Sequence, residues 1–279
     1  MKNSFQYVVL CFAAVGLSCN LENEVVVDLP AYEPQVVVEC YLESNKPVRL
    51  LLARSNRYFD AFDLSSLETV LDESLEQEAT VRVKFGSGEI DLRNEINFDA
   101  QTGFLGNYLS WERVPETADT FFLEIILSDG SEIRGQTVMI PEVPFDSIVI
   151  ESEDTLARVL MYFTDTYDEE NFYRRHLHRT TLDSVPYQDF LAEDTFSDNG
   201  VIVFGTGFEF EPGDTVINTL YHLTKAYYDY LVSVTFSIQA NLDPITQPGS
   251  IFSNVSGSAN PLGIFTALSY ARDTTVIDQ

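Results

Sequence analysis

Residues 120–140 read TFFLEIILSDGSEIRGQTVMI. Apolar runs rich in Phe, Leu, Ile and Val flank the dipeptide Asp129-Gly130, which tolerates the positive φ of a tight hairpin turn. The stretch therefore predicts two antiparallel strands. Just upstream, TVRVKF alternates Val81, Val83 and Phe85 with Arg82 and Lys84, the period of a half-buried strand. EIDLRN repeats that alternation with Ile90 and Leu92. Downstream, strands are expected over Ala157 to Thr164, Phe172 to Thr181, Val201 to Phe210, Asp214 to Leu223 and in IFTALSY near the C-terminus. Short β-rich runs punctuated by Gly, Pro, Asn and Asp argue for a sandwich or barrel. The expectation is an all-β protein of two β-sandwich-like domains, with one short helix in the C-terminal domain.

Three segments depart from the strand pattern. Leu64 to Glu78, LSSLETVLDESLEQE, is polar and irregular, a loop with a short helical turn. In MIPEVPFDSIVI, Pro141 and Pro144 remove backbone donors and force extended geometry, so the ladder is expected to break there. A boundary near Pro144 divides the mature chain into an N-terminal domain, 35–144, and a C-terminal domain, 145–279. In TKAYYDYLVSVTFSIQAN, Tyr227, Leu231, Val234 and Ile238 share one helical face, and Thr224 is a suitable N-cap.

Composition narrows the classes of function. The chain has 44 acidic residues against 16 basic ones, a formal net charge of −28. Such a surface repels phosphate backbones, which argues against nucleic-acid binding. At 45% hydrophobic residues and 13% aromatics, the chain is too apolar to be a disordered acidic polymer.

The N-terminus, MKNSFQYVVLCFAAVGLSC, places Lys2 before an apolar run and then small residues. That is the order of a secretory signal, shorter than the ~20 residues a spanning helix needs. Its end, Leu17-Ser18-Cys19, resembles a bacterial lipobox, although Gly16 stands where leucine is usual. A plain signal peptide ending near a cysteine is the alternative. On the lipobox reading, residues 1–18 are removed, Cys19 carries the lipid (palmitate), and 19–34 form an acidic tether. Cys40 is then the one cysteine left, so no intramolecular disulfide can form. Its setting in VVVECYL reads as a small buried hydrophobe.

No chemical motif stands out. His176 and His178, in RRHLHRT, share one face if the segment is a strand. Zinc would need a further ligand, from His222 or the DTYDEE acids, and Arg174, Arg175 and Arg179 would oppose a cation. The expected role is a solvent-facing basic strand. The clusters DTYDEEN, with Asp165, Asp168, Glu169 and Glu170, and AEDTFSDNG lack calcium-loop spacing and read as polar turns. FGSGEI around Ser87 is no nucleophile elbow, and VFGTGF is a lone Gly-x-Gly. No catalytic residue, metal site or cofactor is expected.

Five motifs, PQVVVECYLE, IPEVPFDSIVI, YDEENFYRRHL, EPGDTVINTLYHLTKAYYDYL and NVSGSANPLGIFTALS, together resemble the DUF4249 family, lipoproteins of Bacteroidota with no assigned activity. Cys40 departs from the pattern, which would place a glycine there. The resemblance implies a non-catalytic outer-membrane lipoprotein, often encoded beside a TonB-dependent transporter. Its expected role is a binding or accessory component of nutrient uptake; the alternative is a structural or adhesive surface protein. Glu22 and Glu24 loosely resemble the acidic signal behind the lipidated cysteine that directs such proteins to the cell surface. The resemblance points to structural positions only: Asp146 and Ser147 at the boundary, Gly213 and Asp214 in a turn, and Asn254 and Gly263 near the end. In EPGDTV, Asp214 is placed to bond nearby backbone amides.

Overall fold

The computed structural model describes residues 34–55, 74–86, 88–116, 120–165, 170–194, 200–242 and 250–278. The expected signal segment, Cys19 with its lipid, the tether up to residue 33, and residues 64–73 of the polar segment lie outside these, as do Ser87, Asp168 and Glu169. Described strands in the first part of the chain are β1 Val36–Glu43, β2 Pro47–Arg54, β3 Thr80–Phe85, β4 Gly88–Asp99, β5 Phe104–Arg113, β6 Thr120–Ile126 and β7 Glu132–Val138. Those that follow are β8 Ser147–Glu153, β9 Leu156–Thr164, β10 Phe172–Arg179, β11 Gln188–Glu193, β12 Val201–Gly205, β13 Thr215–Leu223, β14 Val255–Gly257 and β15 Leu262–Val276. A helix, α1, spans Lys225–Leu242. The protein is all-β in class, with this helix placed in the later part of the chain as expected.

The opening hairpin forms as its sequence requires. β6 and β7 pair antiparallel from Thr120↔Val138 to Ile126↔Glu132. The turn closes with Leu127 N donating to Ser131 O at 2.9 Å, while Asp129 Oδ1 accepts from Ser131 N at 2.8 Å. Alternation sends Phe121, Leu123 and Ile125 inward, and they pack with Val81 and Val83 of β3. Each such burial is worth about 1.5–3 kcal/mol of transfer free energy.

A large mixed sheet of twelve strands runs β11-β10-β13-β15-β1-β2-β5-β4-β3-β6-β7-β14, and a smaller sheet runs β12-β9-β8. The expected division near Pro144 falls inside a single compact unit, Pro34–Gln279. The reason is β15. Its first half pairs parallel with β1, from Val37↔Leu262 to Glu43↔Leu268, and its second half pairs antiparallel with β13, from Thr215↔Val276 to His222↔Ser269. One long strand thus joins early and late parts of the chain, a pairing no local pattern announces. The interior does divide near that point. One large cluster is built from β1–β7, with Val255, Phe265 and Ala267. The smaller clusters lie between β10, β13 and the β12-β9-β8 sheet, and under α1.

Helix α1 starts at Thr224, whose Oγ1 accepts from Tyr227 N at 3.4 Å. Tyr227, Tyr230, Leu231 and Val234 pack against Phe172, Leu223 and Ile264. Ile238, expected on the same face, is 58% exposed, because the buried cluster ends one turn earlier. Cys40 is fully buried, and burial pushes its thiol far above the usual range, as suits a packing residue.

Candidate functional site

Strand pairing assembles a wall of side chains on one face of the large sheet. Arg174 of β10 sits opposite Tyr221 of β13, and Tyr221 opposite Tyr270 of β15, forming one row. Two residues along, His176, Thr219 and Arg272 form the next. On β1, the same face carries Glu39, Tyr41 and Glu43, with Arg49 of β2 opposite Tyr41. Apart from the fully buried Thr219, these residues line a cavity of about 370 Å³. Tyr227 of α1, the β4–β5 turn from Asp99 to Phe104, and Leu182 and Pro186 before β11 complete its rim.

The walls combine aromatic rings with charged groups held in place. Tyr221 and Tyr270 lie 5.2 Å apart between ring centroids, and His176 meets Tyr221 edge-on at 5.1 Å. Tyr41 contacts Phe104 at 5.4 Å and Tyr227 at 5.8 Å, both edge-to-face. Arg174 donates to both oxygens of Asp189, at 2.7 and 2.6 Å, and to the Tyr227 hydroxyl at 3.2 Å. Arg49 pairs with Asp99 at 2.9 Å. Glu39 accepts from Tyr41 at 3.3 Å and from Tyr230 at 3.1 Å. Arg272 donates from Nε to Thr219 Oγ1 at 2.9 Å and lies 4.7 Å over the Tyr270 ring.

Burial and pairing set the protonation states. Burial would raise the Asp189 carboxyl, but the Arg174 bonds, and then His176, outweigh it and hold it well below the usual carboxylate range. His176 Nε2 stands 3.3 Å from Asp189 Oδ1 but outside hydrogen-bond geometry. Burial, then His176 and Arg272, lower the pKa of His178 and favour neutral imidazole. Burial pushes Tyr227 up to about 12. Burial and then Glu43 push Tyr270 up to about 12, so both remain hydroxyl donors at neutral pH.

The expectation of a solvent-facing histidine strand is corrected. His176 and His178 do share a face, but His178 is 5% exposed and both line the cavity. His222 neighbours Tyr221 in the strand and so points to the opposite face, where Nδ1 meets Pro141 O at 2.8 Å and Nε2 meets Asn171 Oδ1 at 3.0 Å. The three histidines do not converge. Among the described residues no group of His, Cys, Asp and Glu has the arrangement to hold a metal. Asp165, expected in a polar turn, is buried and accepts from Asn171 Nδ2 at 2.9 Å and from the Tyr173 hydroxyl.

The structural positions lie away from the cavity. Asp146 N donates to Tyr162 O at 2.9 Å, its Oδ2 accepts from Thr164 Oγ1 at 2.6 Å, and Ser147 opens β8. Gly213 N donates to Ile277 O at 2.8 Å, and Asp214 Oδ2 accepts from Glu211 N at 3.0 Å. Asn254 brackets Phe265 of β15, donating to its carbonyl and accepting from its amide, each at 2.8 Å. Gly263 has φ +133°, and a Cβ there would stand 1.8 Å from Val38 O. Its role is to let β15 approach β1. Tyr221, Tyr270 and Arg272 were absent from the sequence expectations. The alternating YHL and SYAR segments held a signal of period two, but not which strands would become neighbours.

A family model described as "Domain of unknown function (DUF4249)" matches residues 22–274. A comparison with curated proteins finds no match.

Proposed function

The chain belongs to the DUF4249 family, and on that premise we propose that it is a non-catalytic lipoprotein of the outer membrane, displayed on the cell surface. In this reading it serves as a binding or accessory component of a TonB-dependent nutrient-uptake system, anchored through lipid on Cys19. The observation that carries the binding role is the cavity of tyrosines and paired charges on the large sheet. Its carboxylates support binding over catalysis: Glu39 is engaged by tyrosine hydroxyls and Asp99 by Arg49, so each acts as a fixed acceptor. The anchor is supported by the lipobox-like Leu17-Ser18-Cys19. Tethering in the plane of a transporter raises effective concentration, so a weak contact suffices.

Affinity purification of the tagged protein from outer membranes of its native host, after gentle detergent extraction, tests this reading. A TonB-dependent receptor recovered in comparable amount is the expected result. Recovery of the protein alone, with a Cys19→Ala form still held in the membrane, would sink both the accessory role and the anchor.

A further inference from the structure

Charge inside the cavity differs from charge over the whole chain. Lys46, Arg49, Arg174 and Arg272 face Glu39, Glu43 and Asp99, and Asp189 is bonded to Arg174. Four cations thus meet four carboxylates in a protein whose net charge is −28. A ligand carrying net charge of either sign gains little there from Coulomb attraction. A neutral molecule rich in hydroxyls gains from donors and acceptors alike, and hydrogen bonds to charged groups are the strong ones.

Glu43, Lys46 and Arg272 line the cavity and make no ion pair among the described residues. Arg272 bonds Thr219 through Nε and also meets the Tyr221 hydroxyl, so its guanidinium is held in place at the wall a guest would face. His178 Nδ1 is buried without a hydrogen-bond partner among the described residues. Ring surface from Tyr221 and Tyr270 borders this polar set, their centroids 5.2 Å apart. Aromatic faces suit the C–H face of a pyranose ring, while charged side chains suit its hydroxyl rim. The volume, about 370 Å³, lies near the lower end of the ~300–1,000 Å³ range for small-molecule sites. It is too small for a folded partner.

We propose that the cavity binds a neutral saccharide of one or two pyranose rings, stacked against Tyr221 and Tyr270 and hydrogen-bonded to Glu43, Lys46 and Arg272. This deepens the binding role proposed above and rests on it.

Isothermal titration of the full chain in detergent, against glucose, N-acetylglucosamine, maltose and cellobiose, with glucuronate and glucosamine as charged counterparts, tests the proposal. At least one neutral sugar is expected to bind more tightly than either charged one. Tyr270→Ala is expected to weaken that sugar about tenfold, Tyr270→Phe to keep most of the affinity, and Arg272→Gln to weaken it comparably. Phe98→Ala, exposed and outside the cavity, is expected to change nothing. Arg272 is also exposed, so its variant should stay folded if Tyr270→Ala does not, with a cooperative thermal transition as the check. Binding of glucuronate or glucosamine alone would overturn the neutral ligand class. Binding untouched by Tyr270→Ala and Arg272→Gln would remove the site from the cavity. No binding by a folded chain at millimolar sugar would overturn the saccharide proposal outright. Receptor co-purification with the unmutated chain separates the readings: a receptor retained by a chain that binds none of these sugars ends this inference and leaves the accessory role standing.

Discussion

Two buried asparagines distinguish the two parts of the molecule. Asn107, in the core built from β1–β7, is fully satisfied: Oδ1 accepts from Leu52 N at 2.8 Å, and Nδ2 donates to Leu52 O and Glu76 O. Its amide stands in for backbone pairing, and the interior around it is a single apolar cluster. Asn218, between β13 and the β12-β9-β8 sheet, is half satisfied. Its Oδ1 accepts from Arg175 at 3.1 and 2.6 Å, while Nδ2 has no partner among the described residues. Arg175 is 1% exposed, and burial lowers its pKa to about 10. Two smaller clusters divide that interior, and a third lies under α1. The first part concentrates its apolar residues in one core, and the second spreads them around buried polar groups. The cavity lies on the second part's outer sheet face, extended by β1 and β2.

The strand shared by both parts is the most sensitive point. Gly263→Ala puts a methyl group into the Val38 carbonyl at a φ that L-residues avoid, and is expected to cost about 4 kcal/mol or more in urea unfolding. A loss under 1 kcal/mol would mean β15 and β1 can separate cheaply. Next are matched core truncations. Leu50→Ala is expected to cost about 3 kcal/mol and Leu177→Ala about 2 kcal/mol, since the smaller cluster loses fewer neighbours and relaxes more easily. Equal losses would erase the difference drawn between the two interiors.

Asn218→Leu leaves the Arg175 guanidinium buried with only the Gly205 carbonyl, 3.5 Å away, and is expected to cost about 2 kcal/mol. Adding Arg175→Met should restore most of that loss, because an apolar pair removes the desolvated charge. If the double variant is no better than Asn218→Leu alone, the guanidinium is not the source of strain.

The smallest effect belongs to the cavity wall. Asp189 has a lowered pKa in the fold, so its contribution is present above the unfolded carboxylate value of about 3.9 and is lost as pH falls below it. Asp189→Asn should therefore lower the thermal midpoint at pH 7 and converge with wild type in strong acid. Its side chain is 44% exposed, which limits the difference to about 0.5 kcal/mol. A gap that persists at low pH would assign the effect to packing instead.

Local pattern predicted much of the strand content. Asp129-Gly130 announced the β6–β7 hairpin, alternation announced β3, and Thr224 marked the start of α1. The cavity was not legible in the same way. RRHLHRT showed that His176 and His178 share a face, but whether that face met water or a pocket depended on β13 and β15 pairing beside β10. The prolines of MIPEVPFDSIVI did break the ladder, since Pro141–Phe145 carries no strand, yet the break does not separate two bodies.

Composition, period two and the Asp129-Gly130 turn, taken alone, settle the all-β class, the β6–β7 hairpin and the buried state of Cys40. These depend on backbone sterics and on which residues flank one another in the chain. The parallel match of β15 with β1, the rows Arg174–Tyr221–Tyr270 and His176–Thr219–Arg272, and the isolation of His222 from the other histidines came from the tertiary structure. Their partners lie tens to hundreds of residues apart, and a shift of one residue would send each of those side chains to the opposite face. Their register is set by the fit of the whole sheet around its cores.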